Sequence, residues 1–482
     1  MKVIVVGGGA AGFFAAIAAA EAGLRPGVYA PEGSPREVSR VGAVASDQTY
    51  TPQGKEVMLL EKSPQFLTKV RISGGGRCNV THAGFDARDF SKHYPRGEKA
   101  LIGAFQKFQA SDTVAWFAAR GVKLKTESDG RMFPTTDSSQ TIMDCLLQAA
   151  RKAGVKLRSN CGVEKIIPLP SGRYAALRAG SSALEAGAGS CGTGFEIELE
   201  RRPPARHVEK QKHAEPEAGA PIVGETLFCD RLLLATGGCR AAAAGQLAVS
   251  LGHTLEPPVP SLFTFHIATP WLRELAGVTV ESAEVSVLPQ CGTKLCERGA
   301  LLVTHWGLSG PVILRLSAWG ARKLHALDYK FTLRVNWLPQ LTAEKIAGGL
   351  QSRRAAFGAK LVVNAPIAPL TARLWAALVL AAGIGREARW SSLTRAQQHQ
   401  LVQQLTRTEL PVTGKSLNKD EFVTCGGVRL GEVDFKTMAS RVCPGLYFAG
   451  ELLDIDGLTG GFNFQAAWTT GWIAGNAMAE NV

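Results

Sequence analysis

The feature that most constrains the fold is a glycine turn between a buried strand and a helix at the start of the chain. Residues 3–6, "VIVV", are typical of a parallel strand covered on both faces. The glycines of "GGGAAG" follow at once, and "FFAAIAAAEAG" then predicts a helix of small residues that ends at Gly23. Strand, turn and helix are the context that a dinucleotide-binding G-x-G-x-x-G motif requires. A glycine-rich turn without a ligand is the alternative interpretation.

Each glycine of this motif has a physical role. Gly7 permits the tight turn, Gly9 lets the backbone approach a pyrophosphate, and Gly12 lets the helix pack closely on the strand. The N-terminus of the helix would face the phosphates, with Ala10 and Ala11 lining the same turn. The motif therefore predicts the first half of a nucleotide-binding α/β domain.

The acidic residue that binds the ribose hydroxyls in such domains lies about twenty residues after the glycines. Here residues 24–56 are rich in Pro, Gly, Ser and charged residues, which indicates a surface insertion. The strand "VMLLEK" follows this insertion and ends at Glu61, which is our preferred ribose ligand. Glu32, after the shorter pattern "GVYAPE", is the competing candidate.

Two later segments predict that the nucleotide-binding domain is discontinuous. "LLLATGG" is an apolar strand that runs into a Thr-Gly-Gly turn at 236–238. Residues 445–475 contain a strand, the loop "ELLDIDGLTGGFN" and a final helix whose positive end can face a cofactor. Asp454 and Asp456 either orient that cofactor or, as is usual for aspartate, cap the loop itself.

The middle of the chain changes in composition. Residues 170–225 hold Ala/Gly/Ser-rich and polar runs between strand patterns, which predicts a β-hairpin excursion with poorly ordered tips. Short strand patterns from 246 to about 340 predict a small β domain. Residues 343–410 have helical patterns, including a capping box at Thr394 and Gln397.

Cysteine usage and hydropathy limit the class of protein. The ten cysteines form no CxxC pair, and Cys291 and Cys296 are best explained as flanking a hairpin, so we expect reduced thiols and a cytoplasmic location. We expect no signal peptide before the strand that starts at Lys2. The apolar run from Leu374 to Ile384 is too short to span a bilayer, so no membrane segment is predicted.

The charge of the chain is unevenly distributed. The formal net charge is +13, and residues 343–415 contain ten basic and three acidic residues, a net +7. About half of the excess therefore lies in about a seventh of the chain. A solvated helix face and a surface for RNA phosphates explain this concentration equally well.

Five stretches give the chain a family resemblance. They are "SGGGRCN" (73–79), "GRMFPTTDSSQTIMDCLLQAARKAGVKL" (130–157), "CDRLLLATGG" (229–238), "LLVTHWGLSGPVILRLSA" (301–318) and "GLYFAGELLDIDGLTGGFNFQAAWTTGWIAGNAMA" (445–479). With them the chain resembles, almost end to end, the BaiN/RdsA-like (YhiN-like) NAD(P)/FAD-dependent oxidoreductases. The two predicted insertions are the departures from this pattern.

The resemblance implies an α/β fold, with a discontinuous two-part Rossmann-type FAD-binding domain and an inserted β-barrel-like plus helical domain. Residues 1–245 would form the first part of the FAD-binding domain. Residues 246–415 would form the inserted substrate or partner domain, and residues 416–482 the C-terminal part of the FAD-binding domain.

The implied FAD contacts come from both ends of the chain. The triple glycine of "SGGGRCN" would close over the flavin and bring N–H groups to it, with two polar side chains of the same motif donating to its polar atoms. The complete predicted set is Gly7, Gly9, Ala10, Ala11, Gly12, Glu61, Lys62, Gly75, Gly76, Arg77, Cys78, Asn79, Val163, Thr236, Gly237, Gly238, Gly450, Glu451, Asp454, Gly460, Gly461, Phe462, Asn463, Gln465 and Ala466.

The resemblance also implies an enzyme that reduces activated C=C bonds by hydride transfer from reduced flavin. The chain has no second strand–GxGxxG–helix unit, so NAD(P)H is expected to visit the site transiently as the electron donor, and a different donor is the alternative. Three residues are candidates for the proton donor: Cys78, His82 and His305. Cys78 is alternatively a packing thiol, and His305 is alternatively a structural histidine with satisfied hydrogen bonds. No metal site is predicted.

The substrate is the open question at this stage. Members of the family act on steroid-like enones and on a uridine of ribosomal RNA, which becomes dihydrouridine. The charge of residues 343–415 favours ribosomal RNA. A small-molecule enone reductase or amine oxidase is the alternative, and a flavin-bearing RNA-binding factor without turnover is a third.

Overall fold

The structure is a computed structural model that describes residues 1–22, 55–170, 194–200, 224–239, 242–288, 295–416 and 423–480. The chain divides into two compact units. The first unit comprises Met1–Pro258, Gly426–Ile455 and Gly460–Val482, and the second comprises Val259–Cys425 and Asp456–Thr459. Glu32, Cys291, most of the predicted insertion at 24–56 and the tips of the predicted excursion at 170–225 lie outside the described residues.

The strands among the described residues are, in chain order, β1 (Lys2–Val6), β2 (Glu56–Leu60), β3 (Thr81–His82), β4 (Leu124–Thr126), β5 (Arg131–Pro134), β6 (Lys156–Arg158), β7 (Val163–Leu169), β8 (Gly194–Leu199), β9 (Thr226–Cys229), β10 (Arg231–Leu234), β11 (Leu255–Ser261), β12 (Phe265–Ile267), β13 (Thr279–Val287), β14 (Cys296–Thr304), β15 (Gly307–Ser309), β16 (Phe331–Asn336), β17 (Thr408–Lys415), β18 (Val423–Val428), β19 (Val433–Asp434), β20 (Ala439–Ser440) and β21 (Leu446–Phe448).

The helices are α1 (Ala10–Glu21), α2 (Thr68–Gly76), α3 (Ala87–Ser91), α4 (Glu98–Lys107), α5 (Ala110–Ala118), α6 (Ser139–Lys152), α7 (Ala242–Ser250), α8 (Pro270–Arg273), α9 (Pro311–Ala326), α10 (Ala343–Ala356), α11 (Ala372–Ala381), α12 (Arg395–Arg407) and α13 (Phe462–Ala479). Short 3-10 helices occupy Val362–Asn364, Trp390–Ser392, Leu430–Glu432 and Gly450–Leu452.

The first unit is organised around a seven-stranded sheet with the order β19-β20-β21-β10-β1-β2-β6. The five strands from β21 to β6 are parallel, and β19 and β20 form an antiparallel edge. The apolar run of β1 is buried between β10 and β2, as a strand covered on both faces should be. The prediction that "VMLLEK" is the second strand of the nucleotide-binding fold is confirmed, because β2 pairs directly with β1.

The first and last helices of this unit pack with their backbones in close contact. A Cβ atom at Gly471 would lie 2.4 Å from the carbonyl oxygen of Ala11, and one at Gly475 would lie 2.3 Å from that of Ala15. Only glycine allows α13 to approach α1 this closely. The N-terminal and C-terminal parts of the chain therefore form one domain, as the discontinuous fold requires.

Besides the seven-stranded sheet and a barrel described below, the described residues form three smaller sheets. Their strand orders are β3-β5-β4, β7-β8-β9 and β11-β18. The strands β7, β8 and β9 pair antiparallel and lie where the sequence predicts the base of the excursion at 170–225.

The second unit contains a closed barrel with the order β12-β15-β14-β13-β16-β17. Alternate residues along its strands, such as Leu333 and Val335 on β16, are buried, and the residues between them are partly exposed. Helices α10, α11 and α12 share the apolar core of this unit, where the rings of Trp375 and Trp390 stack 6.4 Å apart. The predicted barrel-like and helical elements are thus confirmed.

In the part of the chain that the structure describes, no helix has both the length and the apolar composition needed to cross a bilayer.

Candidate functional site

The glycine turn between β1 and α1 has the geometry that its sequence predicts. Gly7 has φ +115°, and a Cβ there would lie 2.2 Å from the carbonyl oxygen of Ala235. A Cβ at Gly12 would lie 1.9 Å from the carbonyl oxygen of Gly7, so this glycine is required for helix–strand packing. At Gly9 a Cβ would have no atom within 4 Å. The space in front of Gly9, at the N-terminus of α1, is therefore open to a ligand.

Glu61 lies beside this turn at the carboxyl end of β2. Its Oε2 accepts a hydrogen bond of 2.7 Å from the Gly8 N–H, and its Oε1 accepts one of 2.8 Å from the Ser63 N–H. The carboxylate is thereby fixed next to the glycine turn, where a ribose ligand is expected. The neighbouring Lys62 instead forms an ion pair with Glu200.

The end of β10 contributes an unpartnered hydroxyl to the same edge of the sheet. Thr236 Oγ1 is buried and has no hydrogen-bond partner among the described residues. Gly237 follows with φ +81°, and a Cβ there would meet no atom within 4 Å. A buried polar atom without a protein partner is uncommon in folded proteins. The unpartnered Thr236 hydroxyl therefore favours a bound ligand at this position.

The triple glycine continues α2 in a non-helical conformation. Gly74, Gly75 and Gly76 all have positive φ, and Cβ atoms at the last two would point into open space. Arg77 follows, and its guanidinium lies 4.0 Å above the ring of Phe133 and 2.6 Å from a carboxylate oxygen of Glu127. These contacts with Phe133 and Glu127 hold the Arg77 side chain without a cofactor. The role of Arg77 as a hydrogen-bond donor to the flavin stays a prediction.

Asn79 joins the "SGGGRCN" segment to the glycine pair that precedes α13. The Asn79 amide is oriented so that its oxygen and its nitrogen both have a hydrogen-bond partner. The oxygen accepts a hydrogen bond of 2.9 Å from the Gly461 N–H, and the nitrogen donates one of 3.1 Å to the Thr81 carbonyl. A Cβ at Gly461 would lie 2.5 Å from the Thr81 carbonyl carbon, so the backbones touch here. The segment "SGGGRCN" is thus fastened to the N-terminus of α13.

Cys78 is fully buried, and its N–H donates to the Ser73 carbonyl. Burial raises the pKa of the Cys78 thiol to about 12. A thiol with no exposed atom cannot contact a substrate, so the structure favours the packing role that the sequence left open.

His82 lies in a stack of three rings at the start of α13. Phe462 stacks on His82 with a centroid distance of 4.8 Å and on His93 with a distance of 4.3 Å. His82 Nε2 lies 3.1 Å from the Asp129 carbonyl, whereas its buried Nδ1 has no partner among the described residues. Burial lowers the pKa of His82, which keeps the imidazole neutral near pH 7. A Cβ at Gly130 would lie 2.4 Å from the His82 ring. The ring therefore fits in this position only because residue 130 has no side chain.

Sequence reasoning did not identify His93 as part of this stack. Its Nδ1 contacts the Phe90 carbonyl, and the neighbouring Tyr94 donates to the Phe462 carbonyl at 2.6 Å. No spacing in the sequence brings residue 93 to residue 462, because the contact is made only when α13 docks.

Gln465 is held entirely by protein groups. Its Oε1 accepts from Thr81 Oγ1 and from Thr113 Oγ1, and its Nε2 donates to Thr469 Oγ1. The side chain is fully buried and bonded to protein groups, and its contact with a cofactor stays a prediction. Ala466, one residue on, is also buried in α13, and Asn463 lies in its first turn.

The loop before α13 is also fixed by internal contacts. Gly450 has φ +72° and donates its N–H to Thr470 Oγ1, while Glu451 pairs with Lys69. Asp454 Oδ1 accepts from the Gly426 N–H. Asp456 Oδ2 accepts from Ser261 Oγ within the second unit. Both aspartates are therefore bonded to residues outside their own loop, and their choice between a cofactor and the loop stays a prediction.

The remaining predicted residues lie elsewhere in the fold. Val163 begins β7, and Gly238 follows the Thr236–Gly237 turn. Gly460 precedes the N-cap of α13 with φ +133°. His305 belongs to the second unit, on the exposed turn between β14 and β15. Its ring makes no hydrogen bond to the described residues, and the choice between a proton donor and a structural histidine stays open.

The residues of the first unit fit FAD. The open space at Gly9 faces the N-terminus of α1, which favours a pyrophosphate. Glu61 supplies the carboxylate for a ribose beside it, and the buried Thr236 hydroxyl lacks a partner that a ligand atom would provide.

Comparison with known proteins agrees with this architecture. Residues 41–188 match the family model described as the HI0933-like protein Rossmann domain, and residues 259–423 match the HI0933-like protein barrel and H2TH domain. The chain is 27% identical to a 3-dehydro-bile acid delta(4,6)-reductase of Clostridium scindens over 99% of both chains. It is also 27% identical to a ribosomal RNA dihydrouridine synthase of Escherichia coli over 87% of this chain and 91% of that protein. A ribosomal RNA dihydrouridine synthase of Haemophilus influenzae is 23% identical over the same shares.

Two domain models of one family, in the order that the fold requires, account for more than half of the residues. The chain therefore belongs to the HI0933-like family of flavin-dependent oxidoreductases.

Proposed function

We propose that this protein binds FAD in its first unit and reduces an activated C=C bond, with a uridine of ribosomal RNA as the substrate. The observation that carries the proposal is the open face of the glycine turn. Gly9 has free space in front of it, α1 begins at the next residue, and Glu61 is hydrogen-bonded to the same turn. This arrangement combines N–H donors, a helix dipole and a carboxylate at one edge of a parallel sheet.

The roles of the binding residues follow from their chemistry. The N–H groups at the start of α1 would neutralise the pyrophosphate, and Glu61 would accept hydrogen bonds from ribose hydroxyls. Thr236 would donate or accept through its unpartnered hydroxyl. When bound, FAD supplies the hydride that a C=C reduction needs, and NAD(P)H is our proposed source of its electrons.

The N-terminus of α13 is the second binding element. Gly461 caps this helix, and Asn79 holds it against the "SGGGRCN" segment. The positive end of an 18-residue helix favours negative charge, so α13 would stabilise a cofactor that gains electrons. Asn79 is therefore proposed as a residue that positions this helix end.

A proton must accompany the hydride, and two histidines remain candidates for handling it. His82 is half-buried with an unpartnered Nδ1, and His305 has an exposed ring. An imidazole can pass a proton through a ring nitrogen, whereas the Cys78 thiol is fully buried and its pKa is raised. We propose that one of these two histidines, and not Cys78, holds the proton.

Two observations support RNA as the substrate. Two of the relatives are named ribosomal RNA dihydrouridine synthases, and residues 343–415 of this chain carry a net charge of +7. A polyphosphate partner explains a concentrated positive charge, whereas an apolar enone does not need it.

A small-molecule enone is the second candidate. The relative named 3-dehydro-bile acid delta(4,6)-reductase aligns with 99% of this chain, which is more than the share covered by the dihydrouridine synthases. In that case the basic residues of the second unit would be a solvated surface.

The test has two stages. Purified protein should be yellow or become so with FAD, with flavin absorbance that co-elutes with the chain. Mass analysis of ribosomal RNA from a deletion strain should then show one uridine that lacks its usual gain of two hydrogens. Normal ribosomal RNA, together with NAD(P)H-dependent reduction of a 3-oxo-Δ4 steroid by the purified protein, would replace the RNA proposal with the enone. A protein that binds no FAD would overturn both.

A further inference from the structure

The second unit has an exposed basic surface made by three segments that are separate in sequence. The segments are Arg354 at the end of α10, residues 357–361 and residues 386–391. The last two run side by side, because Leu361 and Arg389 form an antiparallel bridge. The Trp390 N–H also donates to the Lys360 carbonyl at 3.1 Å. We call these three segments the basic clip.

Two arginines cross the clip and bind backbone carbonyls. Arg354 donates to the Ser391 carbonyl at 3.2 Å, and Arg389 donates to the Ala359 carbonyl at 2.9 Å. Each contact orients a guanidinium and leaves its charge unneutralised. A guanidinium has five N–H donors, so most of them remain for a partner. Both residues are exposed.

Other arginines of the same unit are neutralised instead. Arg315 pairs with Glu297 at 3.2 Å, and Arg334 pairs with Glu409 at 2.8 Å. Within the described residues, the clip cations have no carboxylate oxygen within ion-pair distance. These cations are Arg354, Lys360, Arg386 and Arg389.

The clip contains one acidic residue, Glu387, which is exposed and forms no ion pair with these four cations. The clip therefore keeps a net charge of +3 on a small exposed area. Lys360 also lies over the ring of the half-buried Phe357, with its Nζ 4.6 Å from the ring centroid. Two oriented guanidinium groups and further unpaired cations on one exposed surface are a donor set that suits RNA phosphates.

We propose that the basic clip binds the phosphate backbone of the RNA substrate. This inference rests on the proposed function, because it gives the RNA a binding surface on the second unit. Planar guanidinium forks match the geometry of phosphate oxygens, and their attachment to carbonyls orders them before binding. An acidic protein is the competing partner for such a surface, and the experiment separates the two.

The test compares two charge-matched double variants. Lys360→Gln/Arg386→Gln removes two clip cations that make no hydrogen bond to a backbone carbonyl of the fold. Arg273→Gln/Lys345→Gln removes the same charge from exposed residues of the second unit outside the clip, and neither residue has an ion pair with a described carboxylate. Fluorescence anisotropy of a labelled ribosomal RNA hairpin would give the affinity of each oxidised protein over a range of KCl concentrations. Polyglutamate would be measured in parallel, and melting temperature would check the fold.

The clip variant should bind the RNA hairpin about tenfold more weakly at low salt, and its plot of log affinity against log salt should be shallower by about two. The matched control should keep most of the affinity. Arg354→Lys/Arg389→Lys, which keeps the charge but loses the fork, should have an intermediate affinity. Equal RNA binding by the clip variant and the control would overturn the inference. A loss confined to polyglutamate would assign the clip to an acidic protein.

This measurement is independent of catalysis, because it uses oxidised protein without an electron donor. If RNA binding depends on the clip but the protein leaves ribosomal uridine unchanged, the clip is an RNA-binding surface and the proposed reaction is wrong. Uridine reduction with clip-independent binding would keep the reaction and reject the clip.

Discussion

Asn79 and Gly461, which come from opposite ends of the chain, are joined by a hydrogen bond of 2.9 Å from the Gly461 N–H to the Asn79 amide oxygen. The same amide donates to the Thr81 carbonyl. One side chain thereby links the "SGGGRCN" segment, β3 and the start of α13. The bond connects the two parts of the discontinuous domain at the place where we propose that the flavin binds.

Replacing Asn79 tests this link. Asn79→Ala removes the bond to the Thr81 carbonyl and leaves the Gly461 N–H without its partner, so we expect a loss of about 1–3 kcal/mol in unfolding free energy. Urea unfolding measures this loss, and FAD titration should show weaker binding. Gln140→Ala, on the exposed face of α6, is the control and should change neither property. An Asn79→Ala protein as stable as the parent would show that the link is dispensable.

Two substitutions in the glycine turn should have different consequences. Gly12→Ala places a Cβ 1.9 Å from the Gly7 carbonyl oxygen, so we expect misfolding or a loss above about 3 kcal/mol. Gly9→Ala meets no atom within 4 Å, so it should fold normally and lose flavin. The ratio of flavin to protein absorbance and the melting temperature separate the two effects. Retention of full flavin by folded Gly9→Ala would show that no ligand occupies the open face.

Glu61→Gln tests the proposed ribose contact. The amide keeps the shape of the side chain but loses the negative charge and one acceptor, so we expect FAD affinity to fall about tenfold, or about 1.4 kcal/mol. Isothermal titration of the apoprotein measures this change. Glu56→Gln, at the opposite end of β2 and paired with Lys156, is the matched control. Equal FAD affinity of the two variants would exclude Glu61 as a ligand.

Stability should depend on pH through His82. Burial lowers the pKa of His82 below its value of about 6.5 in unfolded chains, so the unfolded state takes up a proton first as pH falls. Stability is therefore full above pH ~6.5 and decreases as pH falls below this value. His82→Gln should make this decrease shallower in urea unfolding. The decrease should not vanish, because burial also lowers the pKa of His253. An unchanged slope would mean that His82 does not titrate in this range.

Replacing glycine with alanine should have opposite effects on stability at two helix positions of the first unit, one inside the contact between α1 and α13 and one outside it. Gly471→Ala would place a Cβ 2.4 Å from the Ala11 carbonyl oxygen and should destabilise the first unit by at least about 2 kcal/mol. Gly103→Ala on α4 meets no atom within 4 Å and should stabilise the same unit by about 0.5–1 kcal/mol. Thermal unfolding measures both. Destabilisation by Gly103→Ala, or none by Gly471→Ala, would contradict the packing described above.

Local patterns predicted the parts of the site that depend on local chemistry. The β1–α1 turn follows from glycine spacing, and Glu61 follows from the apolar strand before it, although its hydrogen bond to the Gly8 N–H does not. The barrel strands also follow from short alternating runs. In each case the physical cause lies within a few residues of the pattern.

Features that depend on distant contacts could not be predicted from such patterns. Gln465 has the motif position of a cofactor residue, but Thr81 and Thr113 take its amide oxygen. For Cys78 the sequence left a proton donor and a packing thiol open, and the complete burial of the thiol depends on the fold. The stacking of His93 on Phe462 has no local signal. Burial and partner choice at these residues are set by the docking of α13.

The close approach of Gly471 to Ala11 also has a consequence for biosynthesis. During translation, α1 leaves the ribosome with its alanine-rich surface uncovered, and this surface stays uncovered until residues 462–479 have also emerged. The first unit can therefore complete its packing only after residues 462–479 have been synthesised. For the FAD site proposed above, this order of synthesis places uptake of the cofactor after the docking of α13.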